Sequence, residues 1–433
     1  MTSAVTAPIA SARVLPGAPV PVRSNVRLAG EHFAAATLYL VVGAVGLLWI
    51  APELSIGAYA SPHVAGVTHL FTLGWLTTTI FGALHQLLPV ALGAPVRSRR
   101  VGHIAFWTFA PGAGVFAAGV ATSSTMLHHV GLALLATGIV LAVGNVAASL
   151  ARAPKRDVTF AAIAVAISFL ASTLVLGVVL VHNLHTGFLG EARVRVLAIH
   201  LHVALVGWAL VMMVGVSHRL MPMFLLSHGG DTRWTKPALV LLTAGVISLA
   251  AGLASPSGLL AWLGVVCLES GVGCLVWQAR CFYAARLRRT LDVGMRFAAI
   301  ALAFLVSSAL LGPAVLARGI GHPRLGTAYV TLGLLGGIVL FVVGFFYKIV
   351  PLLTWTVRYR DRMGRGTAPT IAQMYSARVA HFQLGLMTSG VVLLGSGIGA
   401  ASVNVVRAGA AFFLAGVLVF VSQIVRVVVG SAA

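Results

Sequence analysis

Apolar residues fill long stretches of the chain, and short polar segments separate these stretches from one end to the other. About twenty consecutive, mostly apolar residues are enough for an α-helix to cross the hydrocarbon core of a bilayer. The recurrence of such stretches predicts an all-α integral membrane protein with twelve transmembrane helices. In chain order, the predicted spans 1 to 12 cover residues 32–52, 63–90, 101–121, 126–150, 158–182, 196–222, 237–253, 258–284, 295–317, 326–353, 379–399 and 404–428.

The composition excludes an ordinary soluble protein, because 59% of the 433 residues are hydrophobic and only 9% are charged. The net charge of +21 does not indicate a nucleic-acid partner, because the basic residues lie in short loops and not in one patch. Loops after even-numbered spans hold most of the Lys and Arg residues, which predicts a multi-pass protein of the cell inner (cytoplasmic) membrane with both termini cytoplasmic. These loops contain Arg97, Arg99, Arg100, Arg152, Lys155, Arg156, Arg233, Lys236, Arg286, Arg288, Arg289, Arg358, Arg360, Arg362 and Arg365, and the alternate loops contain Arg193, Arg195, Arg318, Arg324 and Arg407.

Residues 1–29 lack an apolar core followed by a cleavage site, so they are predicted to form a cytoplasmic tail. Residues 30–433 then form a single membrane domain surrounded by the lipid bilayer. Cys267, Cys274 and Cys281 lie seven residues apart in span 8, about 10 Å between neighbours at 1.5 Å per residue. That distance is too long for two of them to bind one metal ion, so we interpret them as small packing residues.

One sequence pattern occurs twice without a gap, as VTHLFTLGWLTTTIFGALHQLLP at 67–89 and HLHVALVGWALVMMVGVSHRLMP at 200–222. A fainter third copy at 329–351 has Thr331 and Tyr347 where the other two have histidines. The copies are separated by about the length of four helices with their loops, which predicts three four-helix pseudo-repeats over approximately 30–157, 158–293 and 294–433. The matched pairs are His69 and His202, Gly74 and Gly207, Trp75 and Trp208, Gly82 and Gly215, His85 and His218, and Pro89 and Pro222.

This layout resembles subunit I of the haem-copper oxidase superfamily, which includes the nitric oxide reductases, and also the smaller NnrS family. The resemblance implies haem b and copper as cofactors and oxidoreductase chemistry. It also implies an electron donor such as a cytochrome c or a cupredoxin, or a small membrane subunit.

In the oxidases, span 2 supplies a haem ligand, span 6 a copper ligand, and spans 7 and 10 two histidines each. Here span 7 has no histidine, and span 10 offers only Tyr329, Thr331 and Tyr347. The oxygen-reducing centre therefore lacks most of its ligands, and both a catalytic and a non-catalytic protein are compatible with the sequence.

The histidines near the outer ends of spans 2 and 6 are the candidate cofactor ligands. His69 and His202 occupy equivalent positions in two copies, and we expect them to bind a haem from opposite sides. His63 lies at the same end of span 2 and is a further candidate. His200 points about 200° away from His202 on a regular helix, so only one of the two can face span 2.

A second group of histidines is a candidate copper or zinc site. His182 and His185 are three residues apart at the outer end of span 5, which places them on one helix face. His200 is expected to complete this site, and His128 and His129 in span 4 are placed to join either group. The alternative is that all these histidines are interfacial and are satisfied by water, by backbone carbonyls or by one another.

Several polar residues lie deeper in the spans. His85 and His218 precede a proline by four residues, so we expect a structural role in bonding a carbonyl that the proline leaves unpaired. Arg219 is expected to reach lipid phosphates. Glu269 in span 8 is a candidate proton carrier because it is an intramembrane acid, although span 8 is not a histidine-bearing helix.

Three functional classes remain open from the sequence. The first is a haem-binding protein, with or without copper, that transfers electrons or handles nitric oxide or oxygen. The second is a transporter or metal-handling protein whose histidines move copper or protons. The third is a non-catalytic sensor or assembly protein of the same fold. Hydrolytic and ATP-driven chemistry are disfavoured, because the sequence has no phosphate-binding loop and no nucleophile triad.

Overall fold

The computed structural model describes residues 23–227, 231–255, 257–287, 290–319, 322–360 and 368–430. Twelve helices in these ranges are long and apolar enough to cross a membrane, so the prediction of a twelve-span all-α membrane protein is confirmed. Most of the predicted tail lies outside the described residues, as do Arg288, Arg289, Arg362 and Arg365. The helices are α1 (Arg23–Trp49), α2 (Pro62–Leu92), α3 (Arg99–Thr122), α4 (Thr125–Leu150), α5 (Val158–Thr186), α6 (Ala192–Leu225), α7 (Thr235–Ala254), α8 (Gly258–Ala284), α9 (Val293–Arg318), α10 (Pro323–Arg358), α11 (Ala377–Gly399) and α12 (Val403–Val429).

Three long helices, α2, α6 and α10, form the centre of the bundle. Each packs along the helix that precedes it, namely α1, α5 and α9, and the remaining helices form the hairpins α3–α4, α7–α8 and α11–α12. The last helix of each hairpin contacts the next odd-numbered helix, α4 with α5, α8 with α9 and α12 with α1, so the peripheral helices form a closed ring. The three central helices therefore contact one another inside this ring.

Each central helix contains an eight-residue π-helical segment, an uncommon conformation that is frequent at functional sites. These segments are Leu70–Thr77, Val203–Leu210 and Leu332–Val339. They begin directly after His69, His202 and Thr331, which are aligned positions of the three sequence copies. The segments of α2 and α10 both contact the segment of α6.

Glycines in these segments allow the preceding helix to approach closely. A Cβ atom at Gly74 would lie 2.5 Å from Tyr39, a Cβ at Gly207 would lie 2.6 Å from Phe169, and a Cβ at Gly336 would lie 2.6 Å from Phe304. Real Cβ atoms do not make contacts this short, so an aromatic ring of α1, α5 or α9 occupies the space that each glycine leaves. The absence of a side chain at these aligned positions sets the distance between the paired helices.

Ion pairs occur near the other end of α6 and α10. Arg219 is paired with Asp157, and Lys348 is paired with Asp292. Each aspartate also caps the helix that follows it, because its side chain accepts backbone N–H bonds from the first turn of α5 or α9. The structure gives Arg219 a carboxylate partner that the sequence analysis did not expect, and its contact with lipid phosphates stays a prediction.

Candidate functional site

A cavity of about 490 Å³ lies at the end of the bundle where the even-numbered spans begin, and we call it the histidine cavity. Most of its wall is formed by aliphatic side chains of α2, α6 and α10, with further apolar residues from α1, α7, α8 and α9. Its volume falls within the usual 300–1,000 Å³ range of small-molecule and cofactor sites. The ionisable residues in its lining are Tyr59, His69, Arg195, His200, His322 and Tyr329.

His69 reaches the histidine cavity from α2 and has one ring nitrogen in a defined role. Its Nδ1 is 2.7 Å from the carbonyl oxygen of Ala65, and because a carbonyl only accepts, Nδ1 carries the proton. The ring also packs edge-on against Phe116 of α3, with 5.2 Å between the ring centroids. The tautomer leaves Nε2 with a free lone pair, which is the arrangement that suits a metal-ligating histidine.

His200 reaches the same cavity from α6, and one of its ring nitrogens is buried without a standard hydrogen bond. Its ring lies beside α5, where a Cβ atom at Gly177 would be 3.6 Å from His200 Cε1. Its Nδ1 is buried without a hydrogen bond of standard geometry, and the ring lies near the backbone of Thr173 on α5. An unsatisfied buried polar atom costs about 1–3 kcal/mol, and because Nδ1 is shielded beside α5, a ligand in the cavity would bind the other ring nitrogen, Nε2.

His202 faces a different cavity. Its Nδ1 is 2.8 Å from the carbonyl oxygen of Ala198, and its Nε2 is 3.1 Å from the hydroxyl of Tyr329 on α10. It lines a second cavity of about 80 Å³ between α6, α8, α9 and α10, which we call the polar cavity. The haem pair expected from the sequence was His69 with His202, but the structure brings His69 together with His200.

Glu269 also lines the polar cavity, together with His202, Tyr329 and Ser308. The sequence places this carboxylate on a helix without histidines, and nothing in its spacing connects it to α6. In the fold, α8 packs against α9 and also contacts α6, so Glu269 lies in the wall opposite the histidine-bearing helix. The acid is therefore a neighbour of the candidate site.

The remaining outer histidines lie elsewhere. His63 Nδ1 is 2.7 Å from Glu53 Oε1, and its ring packs on Trp49. His182 packs against Phe188, at the end of α5. Neither histidine lines the histidine cavity, and the same is true of Glu53, Trp49 and Phe188.

His185 contacts two histidines of α4. The ring centroid of His185 is 5.4 Å from that of His128 and 5.2 Å from that of His129. His128 is only 3% exposed, and neither of its ring nitrogens has a hydrogen-bond partner. Over the ranges that the structure describes, no group of three or more His, Cys, Asp or Glu side chains is arranged to hold a metal ion. A copper or zinc site at His182, His185 and His200 therefore stays a prediction.

The histidines predicted to be structural lie away from both cavities. The ring of His85 packs edge-on against His32 of α1, with 5.3 Å between centroids. His218 Nδ1 is 3.1 Å from the hydroxyl of Thr235, at the start of α7. His85 thus packs α2 against α1, and His218 connects α6 to α7.

The two tryptophans of the repeated pattern pack inside the protein. Trp75 packs against Phe346 and Phe420 and is fully buried. Trp208 donates a hydrogen bond from Nε1 to Thr77 Oγ1 at 3.1 Å, which joins the π-helical segments of α6 and α2. Neither tryptophan lines the histidine cavity, so both pack helices together.

Sequence reasoning did not identify Tyr329 as a site residue. The sequence noted it only as a residue of a span that lacks histidines, yet it forms a hydrogen bond with His202 and lines both cavities. The signal was present, because Tyr329 is aligned with His200 in the third copy of the pattern.

No model of a known protein family matches the chain, and no curated protein matches its sequence.

Proposed function

We propose that the protein is a haem-binding membrane protein that transfers electrons, with His69 and His200 as the haem ligands. The observation that carries the proposal is the arrangement of these two histidines, which reach one cavity from two different helices. His69 has its Nδ1 proton donated to a backbone carbonyl, which leaves Nε2 free, and His200 Nε2 is likewise not among the shielded atoms of its ring. Two neutral imidazoles would bind a flat, largely apolar cofactor from either side through these nitrogens.

The properties of the histidine cavity support a macrocycle over a small ion. Its volume of about 490 Å³ suits a cofactor-sized ligand, and most of its lining is aliphatic. Arg195 is exposed and lies in the lining, where a guanidinium would bind the carboxylates of haem propionates. A bound haem b would supply reversible one-electron exchange, and the residues around it would fix its orientation and exclude water from it.

We also propose that the twelve helices form three pseudo-repeats in the manner of haem-copper oxidase subunit I. The aligned π-helical segments support this proposal. The aligned contacts of Gly74, Gly207 and Gly336 with aromatic rings also support it. Further support comes from Arg219 and Lys348, which are aligned with each other and are each paired with the aspartate that caps the preceding helix.

Two histidine ligands would leave no coordination position for a gas, so electron transfer is favoured over chemistry on nitric oxide or oxygen. A reductase would need an open position at the iron. Carbon monoxide distinguishes these cases, because it binds reduced haem only at an open position. We expect it to leave the reduced spectrum unchanged.

A metal-handling protein is the second candidate, and the histidines between α4 and α5 favour it. His128 is buried without a hydrogen-bond partner beside His185, and His129 lies next to the same ring. Copper or zinc would be the ions suited to these imidazoles. Metal analysis of the purified protein tests this candidate. A separate metal site would be established if copper is bound to the wild type and is lost from His128→Ala while the haem is retained.

The proposed haem site is tested by the absorption spectrum of the detergent-purified protein, produced with ample haem. We expect a Soret band that shifts on reduction and is lost in His69→Ala and in His200→Ala. The matched controls are His202→Ala and His63→Ala, which remove a histidine of the same helices and are expected to keep the band. A colourless wild-type protein would contradict the proposal, and loss of the band in His202→Ala but not in His200→Ala would reassign the ligand.

A variant that fails to fold would also lose the Soret band, so a rescue experiment is needed. His200→Gly leaves a space that free imidazole can enter, and we expect added imidazole to restore the band. Size-exclusion chromatography of each variant reports whether the fold is kept. Persistent loss of haem from a correctly folded His200→Gly protein in imidazole would argue against coordination at this position.

A further inference from the structure

The polar cavity contains a set of groups that the proposed haem site does not use. Most of its lining is apolar, but His202, Glu269, Tyr329 and the hydroxyl of Ser308 also face it. Its volume of about 80 Å³ is enough for several water molecules, because one water needs only about 10–15 Å³ of such a cavity. An ionisable acid inside a membrane is expensive and marks a functional site by default.

The hydrogen bonds around His202 have a fixed direction. Nδ1 must donate to the carbonyl of Ala198, so Nε2 is the acceptor and the hydroxyl of Tyr329 is the donor. The oxygen of Tyr329 keeps lone pairs that can accept a second bond. Tyr329 can therefore accept a hydrogen bond from a water molecule in the polar cavity while its own proton stays bonded to His202.

Glu269 lies close to the free side of Tyr329, and a glycine keeps the space between them open. A Cβ atom at Gly312 of α9 would lie 3.2 Å from Glu269 Oε1 and 3.9 Å from Tyr329 Cε2. Gly312 is part of the lining of both cavities, as is Tyr329. The carboxyl, the phenol and the gap between them therefore lie at the wall that separates the polar cavity from the histidine cavity.

We propose that Glu269, water and Tyr329 form a proton-transfer chain in the polar cavity, with His202 as the acceptor that holds the phenol in place. The carboxyl proton of Glu269 passes to a water molecule hydrogen-bonded to the oxygen of Tyr329, and that water passes a proton of its own to the next water in the cavity. The step leaves a carboxylate at Glu269 and a hydrated proton in the cavity, so charge and protons balance. An electron added at the proposed haem site would favour the neutral, protonated carboxyl, because two negative charges close together repel each other.

The link to electron transfer rests on the proposed function, but the chain itself can be tested without haem. A protonated carboxyl has its own infrared carbonyl band, which shifts in heavy water when its proton exchanges. We expect such a band at neutral pH, its loss in Glu269→Gln, and a frequency change in Tyr329→Phe. Gly312→Ala is expected to slow the exchange, because the added methyl group occupies the gap.

Gly326→Ala is the matched control, because Gly326 lines the histidine cavity and has nothing within 4 Å of its added Cβ. It is expected to leave both the band and the exchange rate unchanged. The proton chain would be overturned if no infrared band depends on Glu269. It would also be overturned if neither Tyr329→Phe nor Gly312→Ala changes the frequency or the exchange rate of that band. Both outcomes apply whether or not haem is bound.

A second measurement tests the coupling to the electron. If the purified protein contains haem, the reduced-minus-oxidised infrared spectrum is expected to contain a Glu269 signal that is lost in Glu269→Gln while the Soret band remains. A haem spectrum without this signal would overturn the coupling and leave the haem proposal intact. A colourless protein with the exchange behaviour described above would overturn the haem proposal and leave the proton chain intact.

Discussion

Hydrogen-bond satisfaction separates two kinds of buried side chain in this protein. His69 and His202 each donate Nδ1 to the carbonyl four residues earlier, whereas His200 and His128 have buried ring nitrogens without a partner. The first arrangement fixes a tautomer, and the second leaves a buried nitrogen unsatisfied at a cost of about 1–3 kcal/mol. At the level of single residues, the hydrogen bonding of Nδ1 therefore distinguishes the candidate ligands from one another.

The same distinction predicts different costs for two neighbouring threonines. Thr77→Val removes the acceptor for Trp208 Nε1 and leaves a buried donor unsatisfied, so we expect the free energy of unfolding to fall by about 1–3 kcal/mol. Thr79→Val is the control, because the Thr79 hydroxyl is already buried without a partner. Its replacement is expected to be neutral or stabilising in an unfolding titration. Equal losses in the two variants would contradict the role given to the Trp208 bond.

Helix pairs in this bundle are defined by glycines that face aromatic rings. Tyr39, Phe169 and Phe304 each occupy the surface of a glycine in the π-helical segment of the next helix. This arrangement brings α1, α5 and α9 close to α2, α6 and α10 without a hydrophobic driving force, which a lipid environment does not supply. At the level of elements, small residues therefore set the framework that surrounds the histidine cavity.

We expect Gly207→Ala to destabilise the protein, because the new methyl group would lie 2.6 Å from the ring of Phe169. Overpacking of this kind costs about 1–3 kcal/mol. Gly144→Ala is the matched control, because nothing lies within 4 Å of its added Cβ in α4. Alanine favours a helix over glycine by about 0.5–1 kcal/mol, so this variant is expected to be stabilised. Thermal unfolding that ranks the two variants the other way would contradict the packing argument.

The two ion pairs at the helix caps differ in burial, and this difference predicts their relative importance. Asp292→Asn keeps a residue that can cap α9 but removes the carboxylate from Lys348, which is only 12% exposed. We expect a loss of about 1.5–3 kcal/mol in unfolding free energy. Asp157→Asn is expected to cost about 0–1 kcal/mol, because Arg219 is 38% exposed and its charge is screened. A larger effect at Asp157 would refute this ranking.

The whole molecule has chemically different ends. The histidine cavity, Arg195 and the histidines of α4 and α5 lie where the even-numbered spans begin, whereas the basic loops such as Arg97 to Arg100 lie where these spans end. The excess of Lys and Arg predicts that the second end faces the cytoplasm. A cofactor in the histidine cavity would then receive its electrons from the outer side.

Cysteine labelling tests this orientation. With Cys267, Cys274 and Cys281 replaced by alanine, Glu191→Cys is expected to react with a membrane-impermeant maleimide in intact cells. Lys155→Cys is expected to react only after lysis. Both positions are exposed and lie at opposite ends of α5, so they form a matched pair. The reverse pattern of labelling would show the opposite orientation.

The sequence predicts the helices of this protein well, because a membrane span needs a long apolar stretch and leaves a clear pattern. All twelve predicted spans correspond to helices, and the largest difference is at α1, which covers Arg23–Trp49 where 32–52 was predicted. The neighbours of each side chain were not predictable to the same degree. His200 and His202 were expected to face different neighbours and do line different cavities, but which of them shares a cavity with His69 depends on how α6 is rotated in the bundle. The proximity of Glu269 to Tyr329 was not predictable for the same reason, because it arises from the packing of α8 and α10 around α9.

The π-helical segments make the central helices mechanically unusual. Each eight-residue segment joins two stretches of ordinary α-helix, and its hydrogen bonds span five residues where an α-helix spans four. Regular α-helical winding of all the residues in Val203–Leu210 would turn the part of α6 that carries His200 by about 100° relative to the rest, whereas deleting one residue would restore regular winding and keep His200 in place. The winding of this segment thus determines which side chain of α6 points towards His69.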